Sequence, residues 1–507
     1  MLSGEFNRSG LRRSSRAWLA VLAAFALMAF WPSAASASAG HSSAAVFNVK
    51  SYGATGNGTT NDTPAVNRAI TAANKAGGGI VEFPADTYLA GGSIHMLSNV
   101  TLQLDAGSTL AGAGSGYDPA EPNPNDKYQD YGHSHFHDAM IWGNGLTNIG
   151  FTGSGTISGE GKFASGTPKS GQADKLISLT RCNNLTLNGI TIKNGGHFGI
   201  LTNGCDNITS DHLTISTAAD RDGWNVISAQ HVKITNINVS SNDDALVFKS
   251  DWALGQTLPN GDVSVNNATL SSGCCNALMF GSETCGDFTG YTFTNITITK
   301  AGKSGLGMVS MDGAHISNVT YDHVTMSGTQ SPIMEKIGTR KRCGGSPGIG
   351  SISDIHYEDV TGTNAGAYSP TLWGQNGHEI SNITFDNVHL TVPGGHGAMS
   401  TGVPSDNGDY NPNSIGTRPA YGFYLHYVTG VGFTASSFGF GKNDGRPAII
   451  ANSTGPITLN GVTVQRGTGS PFDIGFQSSA GYCVQNSTTS GGGKLNINSS
   501  GGSSAGC

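Results

Sequence analysis

Three aspartates lie close together in the middle of the chain, in two short phrases. Asp222 is followed by Gly223, whereas Asp243 and Asp244 are consecutive and are followed by Ala245. Carboxyl groups held close together do not ionise independently, so one is driven to stay protonated while another remains ionised. Such a set supplies a general acid and a general base, which are the two groups that hydrolysis of a glycosidic bond requires.

Two other roles have to be weighed for these residues. Asp commonly begins turns, and we interpret Asp220, Asp262 and Asp354 as turn residues of this kind. A consecutive Asp-Asp that follows an Asp-Gly by 21 residues is harder to explain as a turn alone. A calcium site is the remaining alternative, because clustered carboxylates suit hard cations.

A short β-type phrase recurs along most of the chain and must position these aspartates. The phrase begins with Asn, continues with alternating apolar residues, and its clearest copies are centred on Leu185, Ile208 and Val232, which are 23 and 24 residues apart. A period in the low twenties, with several short strands and no helix between them, indicates one coil of a β-solenoid. We therefore predict an all-β fold, a right-handed parallel β-helix.

The ends and the loops of this solenoid can also be placed. Thr63 and Pro64 give a helix-start signal, and Ala65 to Ala76 has helical character, so we predict a short helix that caps the N-terminal end. Residues 117–137, which contain alternating His133, His135 and His137, and residues 393–419 are rich in turn formers. We expect these two inserts to wall a cleft.

The repeat phase brings the acidic residues to one edge. Asp222 and the pair Asp243 and Asp244 are about one coil apart, and His197 lies 25 residues before Asp222. Adjacent coils are about 5 Å apart at the backbone. Diverging side chains can widen this to the roughly 6.5–9.5 Å that admits a water between two carboxyl groups for inverting hydrolysis.

Composition limits the surroundings in which the chain works. Residues 1–39 combine a basic start, an apolar run and two small A-x-A sites, which is typical of a signal peptide, so we expect a secreted, extracellular protein. We predict a β-helix domain over residues 40–484 and a Gly/Ser-rich tail over 485–507. The formal net charge of −7 gives no reason to expect nucleic acid or membrane lipid as a partner. We expect a monomer.

Eight cysteines favour disulfides in an exported chain. Cys182 and Cys205 occupy the same place in successive phrases, so we predict a bridge between them. We also predict that Cys483 and Cys507 staple the tail. The partners among the other four cysteines stay open; these are Cys274, Cys275, Cys285 and Cys343. No paired C-x-x-C sets are present, so we expect no metal at the cysteines.

The chain resembles the polygalacturonase family, glycoside hydrolase family 28, over roughly residues 45 to 480. The resemblance rests on the opening at 47–54, on Asp222-Gly223, on Asp243-Asp244 and on Gly281-Ser282. It implies a parallel β-helix and inverting hydrolysis of a pectin-type polysaccharide without a cofactor. It further implies that Asp244 is the general acid, and that Asp222 and Asp243 hold and activate the water.

The sequence departs from the family pattern at the residues that would bind a uronic acid. Asn276 stands where the family has a histidine, and Gly307-Met308-Val309 stands where it has Arg-Ile-Lys. Other basic residues could replace the lost charges; these are Arg221, Lys249, Lys336, Arg340, Lys341 and Arg342. Glu283 could serve as an auxiliary carboxylate. Our substrate-binding candidates are therefore His197, Arg221, Lys249, Asn276, Glu283 and Lys336.

Two other functions stay open at the level of the sequence. A polysaccharide lyase on a similar β-helix would break a uronide by β-elimination, typically with calcium and a basic residue. A non-catalytic carbohydrate-binding β-helix is the second alternative, because altered motifs are consistent with lost activity.

Overall fold

The computed structural model describes residues 44–217, 221–364, 366 and 368–507, and these residues form a right-handed parallel β-helix. Each strand pairs in parallel with the strand one coil later. Leu185 pairs with Ile208, and Ile208 pairs with Val232, so the sequence period is the coil period. The predicted fold is confirmed, whereas the predicted signal segment lies outside the described residues.

The coils stack their strands into three ladders. Five long strands run through more than one ladder: Gln230–Ser241, Gly261–Ser272, Phe288–Ser310, His315–Ile337 and Ser351–Asn364. The first ladder, which carries the aspartates, also contains Ile94–His95, Ala139–Asn144, Lys175–Thr180, Phe198–Asn203, Asp222–Ile227, Leu246–Ser250, Leu278–Thr284, Thr371–Trp373, Phe423–His426, Ile449–Asn452, Ile474–Gln477 and Ile497–Asn498.

The other two ladders complete the coil. The second contains Val46–Asn48, Gly79–Phe83, Val100–Leu104, Thr147–Gly153, Asn183–Asn188, Asp206–Asp211, Ile380–Asp386, Val428–Thr434, Ile457–Asn460, Ala480–Gln485 and Ser503–Ser504. The third contains Asn57–Asn61, Thr87–Ala90, Thr109–Gly112, Thr156–Ser158, Thr191–Lys193, Thr214–Thr217, His389–Gly394, Ser437–Lys442, Thr463–Val464 and Thr488–Thr489.

Helices are short and lie at the N-terminal end or in the loops. The helix Thr63–Lys75 starts with Pro64 in its first turn and ends before Gly77 and Gly78, which have φ angles of +92° and +133°. Its buried stripe includes Val66 and Ile70, and it packs against the first coils. The remaining helical turns are Val49–Tyr52, Asp126–Tyr128, Tyr131–Ser134 and Pro412–Ser414. None of the described helices is long and apolar enough to cross a membrane.

Four disulfides are present. The Cys182–Cys205 bridge joins equivalent positions of adjacent coils, as predicted, and Cys483–Cys507 ties down the chain end. The other four cysteines, whose partners the sequence left open, form the bridges Cys274–Cys275 and Cys285–Cys343. Residues 485–507 contribute Thr488–Thr489, Ile497–Asn498 and Ser503–Ser504, which extend all three ladders by pairing with the coil before them.

Apolar side chains divide into an inner core and several outer clusters. The inner core runs the length of the coils and includes Trp224, Leu246 and Phe248 of the first ladder. Side chains of the same ladder that face outward are covered by the two inserts expected as cleft walls. Residues 117–137 contribute to the cluster around Phe198, while residues 393–419 cover the clusters around Met279 and Met334. The aspartates lie between these covers.

Candidate active site

Two parallel columns of side chains cross the first ladder just before its strands begin. Trp224 pairs with Leu246, Leu246 with Leu278, and Leu278 with Leu306, which fixes the register of the residues before them. The first column consists of Arg221, Asp243, Cys275 and Lys303, and the second of Asp222, Asp244, Asn276 and Ser304. The three aspartates therefore occupy adjacent coils, in neighbouring columns.

Asp244 is held by the next coil. Asn276 donates to Asp244 Oδ1 from its backbone N–H at 3.1 Å and from its side-chain amide at 2.8 Å. Burial raises the pKa of Asp244 above its ordinary value, and the charge of Asp243 raises it further. The side chain is 5% exposed. Such a carboxyl group stays protonated at a pH where an ordinary aspartate is ionised.

Asp222 is the second buried carboxyl group. Asn225 donates its amide to Asp222 Oδ2 at 2.9 Å. Burial raises the pKa of Asp222 well above its ordinary value, again with a contribution from the charge of Asp243. Asp243 is more exposed and accepts a hydrogen bond from Arg221 Nε at 3.3 Å. The set thus contains two buried carboxyl groups and one that is partly exposed.

Lys249 forms the cationic centre beneath the aspartates. Its ammonium lies 2.9 Å from Glu283 Oε2 and 3.2 Å from His133 Nε2, and it is buried. Burial acts to lower the pKa of Lys249, but the charges of Glu283, Asp222 and Asp244 raise it overall. Lys249 is therefore a fixed cation that moderates the rise in pKa of both buried aspartates.

Glu283 is surrounded by cations. Besides Lys249, Arg342 donates to Glu283 Oε1 at 2.5 Å, and Arg340 lies 3.8 Å from the same oxygen. Burial alone would raise the pKa of Glu283, but these charges hold it well below its ordinary value. Burial lowers the pKa of His133 to about 3. His133 is therefore neutral and accepts from Lys249.

His197 lies one residue out of the expected register. Phe198, and not His197, pairs with Asp222, while the backbone N–H of Asp222 donates to the His197 carbonyl at 3.0 Å. The imidazole is 3% exposed, stacks on Phe198 and has Nδ1 3.7 Å from Asp174 Oδ2. Its backbone contacts the aspartate coil, while its side chain lies near Asp174 and edge-on to the His133 ring, with ring centroids 6.2 Å apart.

Lys336 lies outside the carboxylate cluster. Its fully buried ammonium donates to Asp406 Oδ1 and the Asp409 carbonyl at 2.6 Å each, and to Ser414 Oγ at 3.0 Å. These three acceptors belong to the insert 393–419. The structure therefore gives Lys336 the role of anchoring this insert to the first ladder.

Two residues of the site were not singled out in the sequence. Lys303 continues the column of Asp243, and its charge lowers the pKa of Asp244. Its ammonium lies 3.3 Å from the Tyr410 hydroxyl, on the insert 393–419. Counting the register from Cys275 across one further coil identifies Lys303, but no signal in the sequence indicates that Tyr410 reaches back over more than a hundred residues.

Metal-ligating atoms come within 4.8 Å of one another in two groups of described residues. In the first, Asp243 lies beside Cys274 and Cys275, but these sulfurs are joined in a disulfide, which removes the thiolates a soft cation would bind. The second group, Asp322, His323 and Asp359, lies outside the carboxylate cluster described above. The arrangement around Asp244 instead suits proton transfer, since buried and partly exposed carboxyl groups lie side by side.

Comparison with known proteins identifies the family. The model for glycosyl hydrolases family 28 matches residues 82–408. An endo-polygalacturonase of Pectobacterium carotovorum subsp. carotovorum is 26% identical over 286 residues, which are 50% of this chain and 65% of that protein. The match thus spans slightly less than two thirds of that relative's length. An endo-polygalacturonase of Pectobacterium parmentieri is 26% identical over 59% of this chain and 77% of its own length.

Solved structures show the same fold. The family 28 exopolygalacturonase of Yersinia enterocolitica aligns with a TM-score of 0.58 at 19% identity, over 89% of this chain and 78% of that one. A hyperthermoactive exopolygalacturonase from Thermotoga maritima aligns with a TM-score of 0.57 at 18% identity, over 69% and 87%. With the family match covering more than half of its length, the chain belongs to glycosyl hydrolases family 28.

Proposed function

We propose that the protein is a secreted glycoside hydrolase that cleaves a pectin-type polysaccharide by single displacement with inversion. The observation that carries the proposal is the set of Asp222, Asp243 and Asp244 on adjacent coils, with two of the three carboxyl groups buried. Its family membership and the polygalacturonases among its relatives support this substrate class.

The proposed reaction uses one acid and one base. Asp244, whose pKa is raised by burial, donates its proton to the glycosidic oxygen as the bond to the anomeric carbon breaks. A water held by Asp222 and Asp243 attacks the anomeric carbon from the opposite face and gives up its proton to an ionised carboxylate. The released sugar therefore forms first with the inverted anomeric configuration.

Loss of the acid tests the proposal most directly. Asp244→Asn keeps the size of the side chain but has no proton to give, so hydrolysis of polygalacturonate should fall by about 10³-fold or more, since acid catalysis and the protonation state are lost together. Asp262→Asn is the matched control, because Asp262 is exposed, lies in the strand Gly261–Ser272 and pairs with His231. Circular dichroism should show the same fold for both variants.

Product analysis separates the alternatives. The anomer that forms first, followed by NMR on the wild-type protein, should be inverted. An unsaturated product that absorbs in the ultraviolet would instead indicate a lyase. Wild-type protein that releases no sugar from a panel of pectic and neutral polysaccharides would contradict the hydrolase proposal and favour a carbohydrate-binding role.

Export and domain boundaries complete the proposal. We propose that residues 1–39 are removed during secretion, that 40–484 form the catalytic β-helix and that 485–507 form a C-terminal tail whose short strands continue its ladders. The four disulfides support an oxidising compartment. N-terminal sequencing of the protein recovered from the culture medium tests the cleavage position. Retention of residues 1–39 would contradict it.

A further inference from the structure

A cavity opens beside the aspartates, toward the C-terminal end of the column that contains Asp243. Its volume is about 340 Å³, and its lining includes Cys274, Lys303, Gln330, Tyr368 and Asn413. This volume is at the lower end of the range of roughly 300–1,000 Å³ for small-molecule sites. The cavity adjoins the carboxylates, because sulfur atoms of Cys274 and Cys275 lie within 4.8 Å of a carboxylate oxygen of Asp243.

One wall of the cavity is the disulfide between the adjacent residues Cys274 and Cys275. Cys274 is exposed, whereas Cys275 is buried and followed directly by Asn276. The turn is packed closely on the next coil, where a Cβ at Gly302 would come 2.3 Å from the Cys274 carbonyl carbon. Cys274, which is fixed by its disulfide to the buried Cys275, is therefore the half of the disulfide that lines the cavity. The half-buried Tyr368 ring adds an aromatic surface to the same cavity.

The cation in this cavity, Lys303, forms no salt bridge with a carboxylate of the described residues. Of the six basic residues considered from the sequence, five have carboxylate partners within 4 Å: Arg221, Lys249, Lys336, Arg340 and Arg342. The sixth, Lys341, is exposed. Lys303 makes no ion pair within the described part of the chain and instead lies against the hydroxyl and the ring of Tyr410. Its ammonium is therefore available to an acidic ligand.

From these observations we infer that the cavity is a sugar subsite that selects a uronic acid residue. The apolar face of the sugar ring packs on the Cys274–Cys275 disulfide and Tyr368, and the carboxylate of the ring binds Lys303. The amides of Gln330 and Asn413 are placed to bind hydroxyl groups. This inference rests on the proposed hydrolase function, and it assigns acid recognition to a residue outside Gly307-Met308-Val309.

The distance of the cavity from the aspartates indicates which sugar of the polysaccharide it would bind. Lys303 is two coils from Asp243 in the same column, which is about 10 Å along the axis at the usual strand separation. A sugar in the cavity is thus next to the bond that Asp244 would protonate. A charge at Lys303 contributes to binding of the acidic sugar, while Asp244 contributes to cleavage, so the two can be separated by experiment.

Binding measurements test the subsite without relying on turnover. In the Asp244→Asn background, calorimetry with trigalacturonate should show about tenfold weaker binding for Lys303→Gln, as expected for loss of a charge-assisted hydrogen bond. Binding of neutral galactotriose should not change. Lys303→Arg, which keeps the charge, should retain most of the affinity, and Lys300→Gln, on an exposed part of the same strand, is the matched control.

The disulfide wall has its own variant. The double variant Cys274→Ser with Cys275→Ser removes the disulfide surface. It should weaken the binding of trigalacturonate and the binding of galactotriose to a similar extent. Equal affinities for Lys303→Gln and Lys300→Gln, or no binding of trigalacturonate to the parent protein, would overturn the inference. Failure of the hydrolase proposal is distinguishable, because the protein would then bind trigalacturonate with this Lys303 dependence yet release no sugar.

Discussion

Asn276 gives two hydrogen bonds to one oxygen of Asp244, from its backbone at 3.1 Å and from its side chain at 2.8 Å. Both donors favour the ionised carboxylate, whereas burial favours the protonated one. Asn276 also accepts from the Ser304 N–H at 3.1 Å, so one amide links three consecutive coils. The family pattern has a histidine at this place, whereas in this chain the Asn276 amide holds the Asp244 carboxyl group by a hydrogen bond.

Asn276→Asp should therefore move the pH profile upward. The new carboxylate can still accept from Ser304, but it removes the amide donor and places a like charge beside Asp244. The pKa of Asp244 rises, so the acid stays protonated to higher pH, and the basic limb of kcat/KM should shift upward by roughly one unit. The pH dependence of polygalacturonate hydrolysis measures this. Asn318→Asp, in an exposed position, should leave the limb unchanged; an unshifted limb in Asn276→Asp would contradict the assignment of the acid.

Removing the buried cation should affect stability and pH together. Lys249→Met removes one partner of the buried ion pair with Glu283 and leaves that carboxylate with fewer positive charges around it. Removal of one partner of a buried ion pair lowers the free energy of unfolding by about 3–5 kcal/mol. It also withdraws a charge that lowers the pKa of Asp222 and Asp244, so their pKa should rise. Denaturant unfolding measures the first effect and the basic limb of the rate profile the second.

A double variant separates these two effects. Lys249→Met with Glu283→Gln removes both charges, so part of the lost stability should return while the upward pH shift persists. Recovery of the wild-type pH profile in the double variant would show that Lys249 acts only through Glu283.

Lys336→Met should loosen the insert 393–419. Its ammonium holds Asp406, Asp409 and Ser414, and no other cation within the described residues forms an ion pair with Asp406. Hydrogen exchange should show reduced protection around Asp406 to Ser414. The pKa of Asp244 should not move, because Lys336 is not among the charges that act on it. A raised KM with unchanged hydrogen exchange in the insert would instead support the substrate-binding role that the sequence suggested for Lys336.

Glu335 makes the stability of the coil depend on pH. It is fully buried and accepts from the Tyr357 hydroxyl at 2.8 Å, and burial raises its pKa to about 8. The folded state thus holds a proton that the unfolded chain releases near pH 4.5, so this contribution to stability is present at low pH and is lost as pH rises toward 8. Glu335→Gln should gain stability relative to wild type from pH 5 to pH 8, by on the order of 3 kcal/mol. Thermal unfolding at both pH values measures the difference, and a constant difference would contradict the buried proton.

The sequence predicted most of the fold because the coil repeats. The spacing of Leu185, Ile208 and Val232 gave the period, and the Cys182–Cys205 bridge followed from it. The same period put Asp222, Asp243 and Asp244 on adjacent coils. His197 was misplaced by one residue, because the residue that pairs with Asp222 is Phe198, and the repeat phrases do not mark where this coil begins.

Other features of the site depend on contacts that a local pattern does not contain. Lys336 is fully buried under the insert 393–419, although its charge suggested an exposed ligand for sugar. Tyr410 reaches Lys303 from the same insert. The Cys274–Cys275 pairing was left open, since four cysteines near one another in sequence allow several connectivities. The contacts of Lys336 and Lys303 with the insert 393–419 depend on how this long loop folds back on the first ladder.

The stacking of coils also bears on how proteins of this kind change over generations. Arg221, Asp243, Cys275 and Lys303 each come from a different coil, and the strands of these coils pair only with strands of the neighbouring coils. Gain or loss of a whole coil between Asp244 and Lys303 would break the order of the site, whereas the same event near Ile474–Gln477 would leave that order intact. We therefore expect chain length in descendants of this protein to drift at the far end, while the interval from Arg221 to Lys303 keeps its number of coils.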